Sequence, residues 1–272
     1  MVGKKPLVLS LFLVLTAGII SSCKKQVPVY KDSTASISAR VSDLLGLMTL
    51  KEKITMLGGT GFTTQPIKRL GIPAMKMTDG PLGARWGKAT AFPAGTAIAS
   101  TWDTTLVNQV GKAIGREVRG KGRNVILGPN VNIARVPLNG RTFEAYGEDP
   151  YLSSELGVSY IKGVQDEHVV ATVKHFVANN QEDDRMYVDV NVSQRALHEI
   201  YFPAFKAAVQ QGDVWAVMSA YNKLYGYYCS GSHFLLNKTL KNDWGFKWMV
   251  MSDWGGVHNT MTTAKNGLDL EM

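Results

Sequence analysis

The chain has 272 residues, enough for one large domain, and its 45% apolar and 19% charged residues are the balance of a chain that folds around a core rather than a disordered one. The formal charge is +8, but the basic residues are scattered, with no Lys/Arg run longer than a pair such as Lys4-Lys5 or Lys24-Lys25. This reads as a solvated surface, not a nucleic-acid stripe, and no nucleic-acid partner is expected.

At the N-terminus Lys4 and Lys5 precede an apolar run, Leu7 to Ile20, that is too short for a comfortable transmembrane span and has the layout of a secretory signal. It ends in Ile20-Ser21-Ser22-Cys23, which resembles the lipobox of bacterial lipoproteins, where the cysteine is acylated and becomes the new N-terminus. An ordinary cleaved signal and an uncleaved anchor are the alternatives. The expected organisation is a signal peptide over 1–22, a polar tether over 23–38 and one domain over 39–272. The expected location is exported, either periplasmic or held at the outer membrane by a lipid on Cys23, with the membrane as partner in the second case. Loss of residues 1–22 leaves 28 basic against 22 acidic residues, a charge of +6. Cys229 is then without a disulfide partner, so the fold must rest on packing.

Ser38 to Leu57 is read as a helical stretch in which Thr49 and Glu52 have capping-box spacing. A regular alternation follows. Apolar runs expected as buried strands are Ala74 to Thr78, Asn124 to Leu127, Val169 to Lys174, Val214 to Ser219, Trp248 to Ser252 and, cut short, Leu268 to Met272. Helical patterns lie between them. They are Leu106, Val110, Ile114 and Val118 after Asp103; Leu156, Tyr160 and Val164; Leu197, Tyr201, Phe205 and Val209 after an N-cap Ser193; and Leu235 to Leu240. Met186 to Val192, with alternating Val and Asp, is read as an extra strand or hairpin arm.

Such alternation implies a parallel sheet with right-handed crossovers, as a barrel or as an open doubly wound sheet, and periodicity alone does not choose. The open sheet would bring a Gly-rich phosphate loop after its first strand, whereas Gly58-Gly59-Thr60-Gly61 lies before that strand. The polar residues favour the barrel. Thr78-Asp79-Gly80, Gly128-Pro129-Asn130, Lys174-His175-Phe176, Ser219-Ala220-Tyr221 and Ser252-Asp253-Trp254 all sit at strand ends, and a parallel barrel gathers those ends at one mouth.

Asp253 steps off an apolar strand directly before an indole. A glycosidase needs a carboxylate beneath the anomeric carbon and an aromatic face against the sugar, though a helix N-cap Asp is the plain alternative. Lys174-His175 offers short-range donors to hydroxyls, and a buried lysine is costly without a partner or substrate; a structural histidine is the alternative. Asp79 can accept two vicinal hydroxyls and Arg141 can donate to one, or the pair can serve a turn and an ion pair. The histidines at 168, 175, 198, 233 and 258 lack ligand spacing, so no metal site is expected, and no Gly-x-Ser-x-Gly elbow is present; glycoside hydrolysis by two carboxylates and water calls for no cofactor. Cys229, with no motif around it, reads as a small buried hydrophobe.

Five strings then stand in order: Met77-Thr78-Asp79-Gly80-Pro81, Gly140-Arg141-Thr142-Phe143-Glu144 with Gly147-Glu148-Asp149-Pro150, Lys174-His175-Phe176-Val177-Ala178-Asn179-Asn180-Gln181-Glu182, Met218-Ser219-Ala220-Tyr221-Asn222 and Met251-Ser252-Asp253-Trp254. Together they resemble glycoside hydrolase family 3 from about residue 40 onward. The resemblance implies an α/β fold, a (β/α)8 TIM-like barrel that stops inside its last strand. It implies a retaining exo-β-glycosidase acting on terminal non-reducing β-D-glucosyl residues of a short oligosaccharide or aryl glucoside, with Asp253 as nucleophile. By the same resemblance Asp79, Arg141, Lys174 and His175 hold the glycosyl unit, Tyr221 stands beside the nucleophile, and Met218 and Trp254 line the pocket.

No Pro-Gly-His run follows Lys174-His175, which disfavours the family's N-acetylhexosaminidase branch. A β-xylosidase or broad exo-glucanase remains the neighbouring alternative, and a glycan-binding lipoprotein without catalysis the distant one. In family β-glucosidases the acid/base is a Glu of a following α/β sandwich domain, so no residue here takes that role and these residues alone are expected to be inactive. Glu144 and Glu148 belong to the loop beside Arg141. A barrel without its final strand is also expected to expose two unpaired sheet edges.

Overall fold

The computed structural model describes residues 27–272, so the signal over 1–22 and the acylated Cys23 lie outside the described residues. Contacts divide the chain into a unit that ends at Met48 and a second over Thr49–Met272. In the first, Val29–Lys31 form a 3-10 turn and α1 spans Ile37–Leu47, opened by Ser36, whose hydroxyl accepts the Ala39 N–H. The turn is tied to the helix, because the Tyr30 N–H donates to Asp43 (2.9 Å) and Arg40 Nε donates to the Tyr30 carbonyl (3.1 Å). Regular structure therefore begins inside the stretch read as a tether.

The single helical stretch expected over 38–57 is two helices. Thr49 is extended and caps α2, Leu50–Met56: its hydroxyl accepts the Glu52 N–H and the Glu52 carboxylate accepts the Thr49 N–H. A capping box satisfies donors only where a helix starts, so the motif that was legible in the sequence is also what interrupts the helix.

The second unit continues with a hairpin that the periodicity missed, β1 (Gly59–Thr60) and β2 (Thr63–Thr64), and then β3 (Met77–Asp79), α3 (Gly95–Ala99) and α4 (Thr104–Gly120). Next come β4 (Val125–Leu127), α5 (Pro150–Asp166), β5 (Val170–Phe176) and the short β6 (Asp189–Val190). α6 (Gln194–Ala196) passes through a π-helical turn, Leu197–Tyr201, toward α7 (Pro203–Gln210) and β7 (Ala216–Ser219). A hairpin of β8 (Lys223–Leu224) and β9 (Tyr227–Tyr228), a π-helical stretch Phe234–Asp243, β10 (Met249–Ser252) and α8 (Thr260–Lys265) complete it. The expected caps hold: Asp103 accepts the Thr105 and Leu106 N–H groups, and Ser193 accepts that of Ala196. The arm expected over 186–192 is β6, paired with β8.

β3, β4, β5, β7 and β10 are adjacent in chain order in one parallel sheet, the central staves of a TIM-like α/β barrel. The sixth expected strand is reduced to bridges, Leu270 to Met251 and Glu271 to Gly58, and these correct the expectation of two open edges. On one side Leu270 pairs with β10, and on the other the Phe62 carbonyl accepts the Met77 N–H (2.8 Å). Between them the Gly59 N–H donates to Glu271 (2.8 Å) and the Glu271 N–H to Leu57 (2.8 Å). The ring is thus closed by a small antiparallel hairpin and the 270–271 segment, where eight parallel strands had been expected.

The strand period of two divides the strands' side chains into two cores. Met77, Val125, Leu127, Ala216, Met218, Met251 and Leu270 form one cluster inside the ring, whereas Ile126, Ala171, Val173, Val217 and Val250 face the helices. α4 and α5 pack close because Gly111 and Gly163 meet at their crossing, where a Cβ would strike the Tyr160 and Asn108 carbonyls. Leu156 of α5 is fully buried in that outer layer, and truncating it to Ala is a cavity change of about 2–5 kcal/mol.

Candidate active site

The inner face is apolar low in the ring, apart from the buried Thr172, and carries charged groups two residues further on, at the mouth. Met77 precedes Asp79, Thr172 precedes Lys174, and Met251 precedes Asp253 on the same side of their strands. A cavity of about 300 Å³ opens there, at the small end of the range of ligand pockets. All eight residues singled out from the sequence line it: Asp79, Arg141, Lys174, His175, Met218, Tyr221, Asp253 and Trp254.

Asp79 is bound by charge. Lys174 Nζ lies 3.1 Å from its Oδ1, an Arg85 guanidinium nitrogen 3.0 Å from its Oδ2, and the Gly80 N–H donates at 2.9 Å. Burial works against its ionisation, but Lys174 and then Arg85 and Gly80 outweigh that cost and hold the carboxyl below its ordinary value. Asp79 is therefore a permanent acceptor. Lys174, 3% exposed, has the partner that a buried ammonium requires.

A second network starts at Arg141, which donates to Glu144 at 2.7 Å. Glu144 also accepts from Asn130 Nδ2 (3.3 Å), and Asn130 Oδ1 accepts the Asn132 N–H (3.0 Å). Asn132 in turn holds His175, the cis peptide of Lys174-His175 lying between the two groups this strand sends into the cavity. Burial first, and then the positive charges of Arg141, Lys174 and Arg185, keep the His175 imidazole well below its usual range, so it is neutral. Its Nε2 is 3.6 Å from Asp253 Oδ2; with a neutral ring this is a contact between neighbours, not an ion pair.

Asp253 is different again. It accepts the Trp254 N–H (2.8 Å), the Tyr221 hydroxyl stands close enough to favour its ionised form, and among the described residues no lysine or arginine forms an ion pair with it. Burial raises its pKa above the ordinary carboxylate value, and the more distant Lys174 and Arg141 only partly offset this. Burial and the neighbouring Asp253 likewise raise the Tyr221 phenol, which stays a protonated donor. The Trp254 indole is fixed by a hydrogen bond to the Gly61 carbonyl (2.8 Å) and packs on Phe62, ring centroids 4.7 Å apart.

Five further residues line the cavity: Phe62, Arg85, Leu127, Glu144 and Arg185. Arg185 pairs with Glu182 (2.6 Å) and stacks its guanidinium over the Tyr221 ring at 4.7 Å. Leu127 ends an expected strand, but its place in the cavity was not read from the sequence. Glu144, which the resemblance put in the loop beside Arg141, is bonded to that guanidinium and also faces the cavity. Among the described residues no group of three or more His, Cys, Asp or Glu is placed to hold a metal ion. Cys229 is buried, which pushes its thiol up to about 12. Chemically, the cavity combines fixed charged donors and acceptors, an aromatic wall and one carboxylate free of direct counter-charge.

Residues 46–269 match the family model described as Glycosyl hydrolase family 3 N terminal domain. The chain is 48% identical over 278 residues to Beta-glucosidase BoGH3A of Bacteroides ovatus, covering 96% of this chain and 37% of that protein. It is 49% identical over 240 residues to a beta-glucosidase of Rhizobium radiobacter, covering 85% of this chain and 29% of that one. Among solved structures, beta-glucosidase 3B from Thermotoga neapolitana in complex with glucose aligns with a TM-score of 0.84 at 46% identity, over 85% of this chain and 36% of that one. The chain thus spans about a third of the length of the relatives it matches. With the family model matched over most of its residues and near-half identity to these relatives, the chain belongs to glycosyl hydrolase family 3.

Proposed function

We propose that this protein hydrolyses terminal non-reducing β-D-glucosyl residues with retention, through a covalent glycosyl-enzyme on Asp253. The observation that carries the reading is a buried carboxylate without a direct counter-charge, in a ring-sized cavity whose other walls are fixed hydrogen-bonding groups. A nucleophile must approach the anomeric carbon with its lone pairs available, which Asp253 can do and the ion-paired Asp79 cannot. Asp79, Arg141, Lys174 and His175 hold the sugar hydroxyls, Tyr221 orients Asp253, and Met218 and Trp254 supply apolar wall. Asp79, kept ionised, cannot serve as proton donor, and Glu144 is engaged by Arg141 and Asn130. The acid/base is therefore assigned to a residue outside this cavity lining. The beta-glucosidase names of the relatives, and the glucose in one related structure, support a glucoside as substrate. Export, and anchoring through Cys23, belong to the same proposal and rest on the N-terminal sequence.

The test is reaction of the full-length protein, acid/base included, with a 2-deoxy-2-fluoro β-glucoside, followed by peptide mass spectrometry. An adduct on the peptide that carries Asp253 is expected. A folded protein that binds glucose but forms no adduct would instead be a glycan-binding protein.

A further inference from the structure

Asn132 is 5% exposed, and its side-chain amide is committed to His175. Its Oδ1 accepts the His175 backbone N–H and its Nδ2 donates to the His175 carbonyl, each at 2.9 Å. These two bonds fix which end of the amide is oxygen, because the exchanged arrangement would set N–H against N–H and carbonyl against carbonyl. The same Oδ1 lies 2.9 Å from His175 Nδ1. An amide oxygen only accepts, so Nδ1 carries a proton. The neutral ring has no second one.

We propose that Asn132 is a positioning residue that locks His175 as the Nδ1–H tautomer, so that Nε2 meets the cavity as a hydrogen-bond acceptor. The 3.6 Å gap between Nε2 and Asp253 Oδ2 fits this, since two acceptors do not bond to each other. A ligand hydroxyl against Nε2 must donate, whereas one against Lys174 or Arg141 must accept. This deepens the glycosyl reading and rests on it: the sugar position that meets His175 must carry a free hydroxyl, and a deoxy or O-alkyl ring at that position is disfavoured. The polarity is continuous, because the Asn132 N–H donates to Asn130, which donates to Glu144, the acceptor for Arg141. One directed chain therefore sets both a donor and an acceptor of the same cavity.

The tautomer is read without ligand, from long-range proton–nitrogen spectra of the protein labelled with 15N-histidine. Of five histidines, 168, 198, 233 and 258 are exposed and His175 is buried, so His175 is the imidazole whose signals stay in place as the pH is lowered. A protonated Nδ1 and a bare Nε2 are expected, the reverse of the preference of free histidine. In Asn132→Leu, which removes the acceptor, His175 should shift to Nε2–H, and glucose binding should weaken about tenfold. Asn132→Asp retains the acceptor and should keep Nδ1 protonated. A bare Nδ1 in the parent protein, or unchanged His175 signals in a folded Asn132→Leu, overturns the proposal. If Asn132→Leu does not fold, the parent spectrum still decides. The expected tautomer in a protein that binds no glucose would remove the sugar reading alone.

Discussion

Asp79 and Asp253 are the same side chain at the same level of the barrel, at the ends of β3 and β10, yet their surroundings push them in opposite directions. Burial opposes ionisation at both. Around Asp79 two cations at 3.0–3.1 Å overcome it; around Asp253 the contacts are an amide, a phenol and a neutral imidazole. Chemistry here is assigned less by the carboxylate than by what the neighbouring strands present to it. Counter-charge makes one a fixed acceptor, and its absence leaves the other available for bond formation.

The largest effect expected from breaking this contrast is in Asp253→Asn, which in the full-length protein should lower turnover of an aryl β-glucoside by about 10⁴-fold, measured by release of the aryl group. Lys174→Met removes the cation that both carboxylates feel. It should cost about 1–3 kcal/mol in a urea titration, since the largely buried Asp79 loses the more buried of its two cations and keeps only Arg85, and glucose binding should fall with it.

The inactive Asp253→Asn should also be the more stable protein at neutral pH, by a few degrees of melting temperature. The sign follows from the raised pKa: the folded state holds the Asp253 proton more tightly than the unfolded state does. Stability is therefore lost as the pH rises from the ordinary aspartate value of 3.8 through the raised value, and Asn escapes that loss. The difference between the two proteins should close below about pH 3.8. Asp79 runs the other way, its contribution being present above its ordinary value and lost as the pH falls through the lowered one. The smallest effect is expected for Arg85→Gln, because Arg85 is mostly exposed; less than about 1 kcal/mol should be lost, with a small upward shift of the Asp79 titration.

Much of the site was legible because strand ends are marked twice, by the end of an apolar run and by a polar word. Asp79, Lys174, His175 and Asp253 carry both marks. The two-residue strands Gly59–Thr60 and Thr63–Thr64 carry neither, since such a short run has no period and glycine and threonine serve turns equally well. Phe62 was missed with them. Arg85 and Arg185 lie on loops, where distance along the chain does not give reach across the mouth. Asn132 stands five residues beyond an expected strand end, Leu127, and nothing in the sequence says that it faces the histidine 43 residues later. The Thr49-Glu52 signal was read correctly, but its consequence, a break in the helix, was not.

The ring closure has a consequence in time as well as in space. The bonds from Gly59 to Glu271 and from Trp254 to Gly61 join segments about 200 residues apart, the second spanning 193. Contacts so distant along the chain carry a large loop-closure entropy and form late in folding. The same contacts set the indole wall beside Asp253 and bring Phe62 against it. Strand pairing and helix packing can precede them, so amide exchange should find β4, β5 and α5 protected in states where Gly59 and Glu271 are still open. The aromatic wall of the cavity is, on this account, among the last parts of the barrel to be built and among the first to come undone.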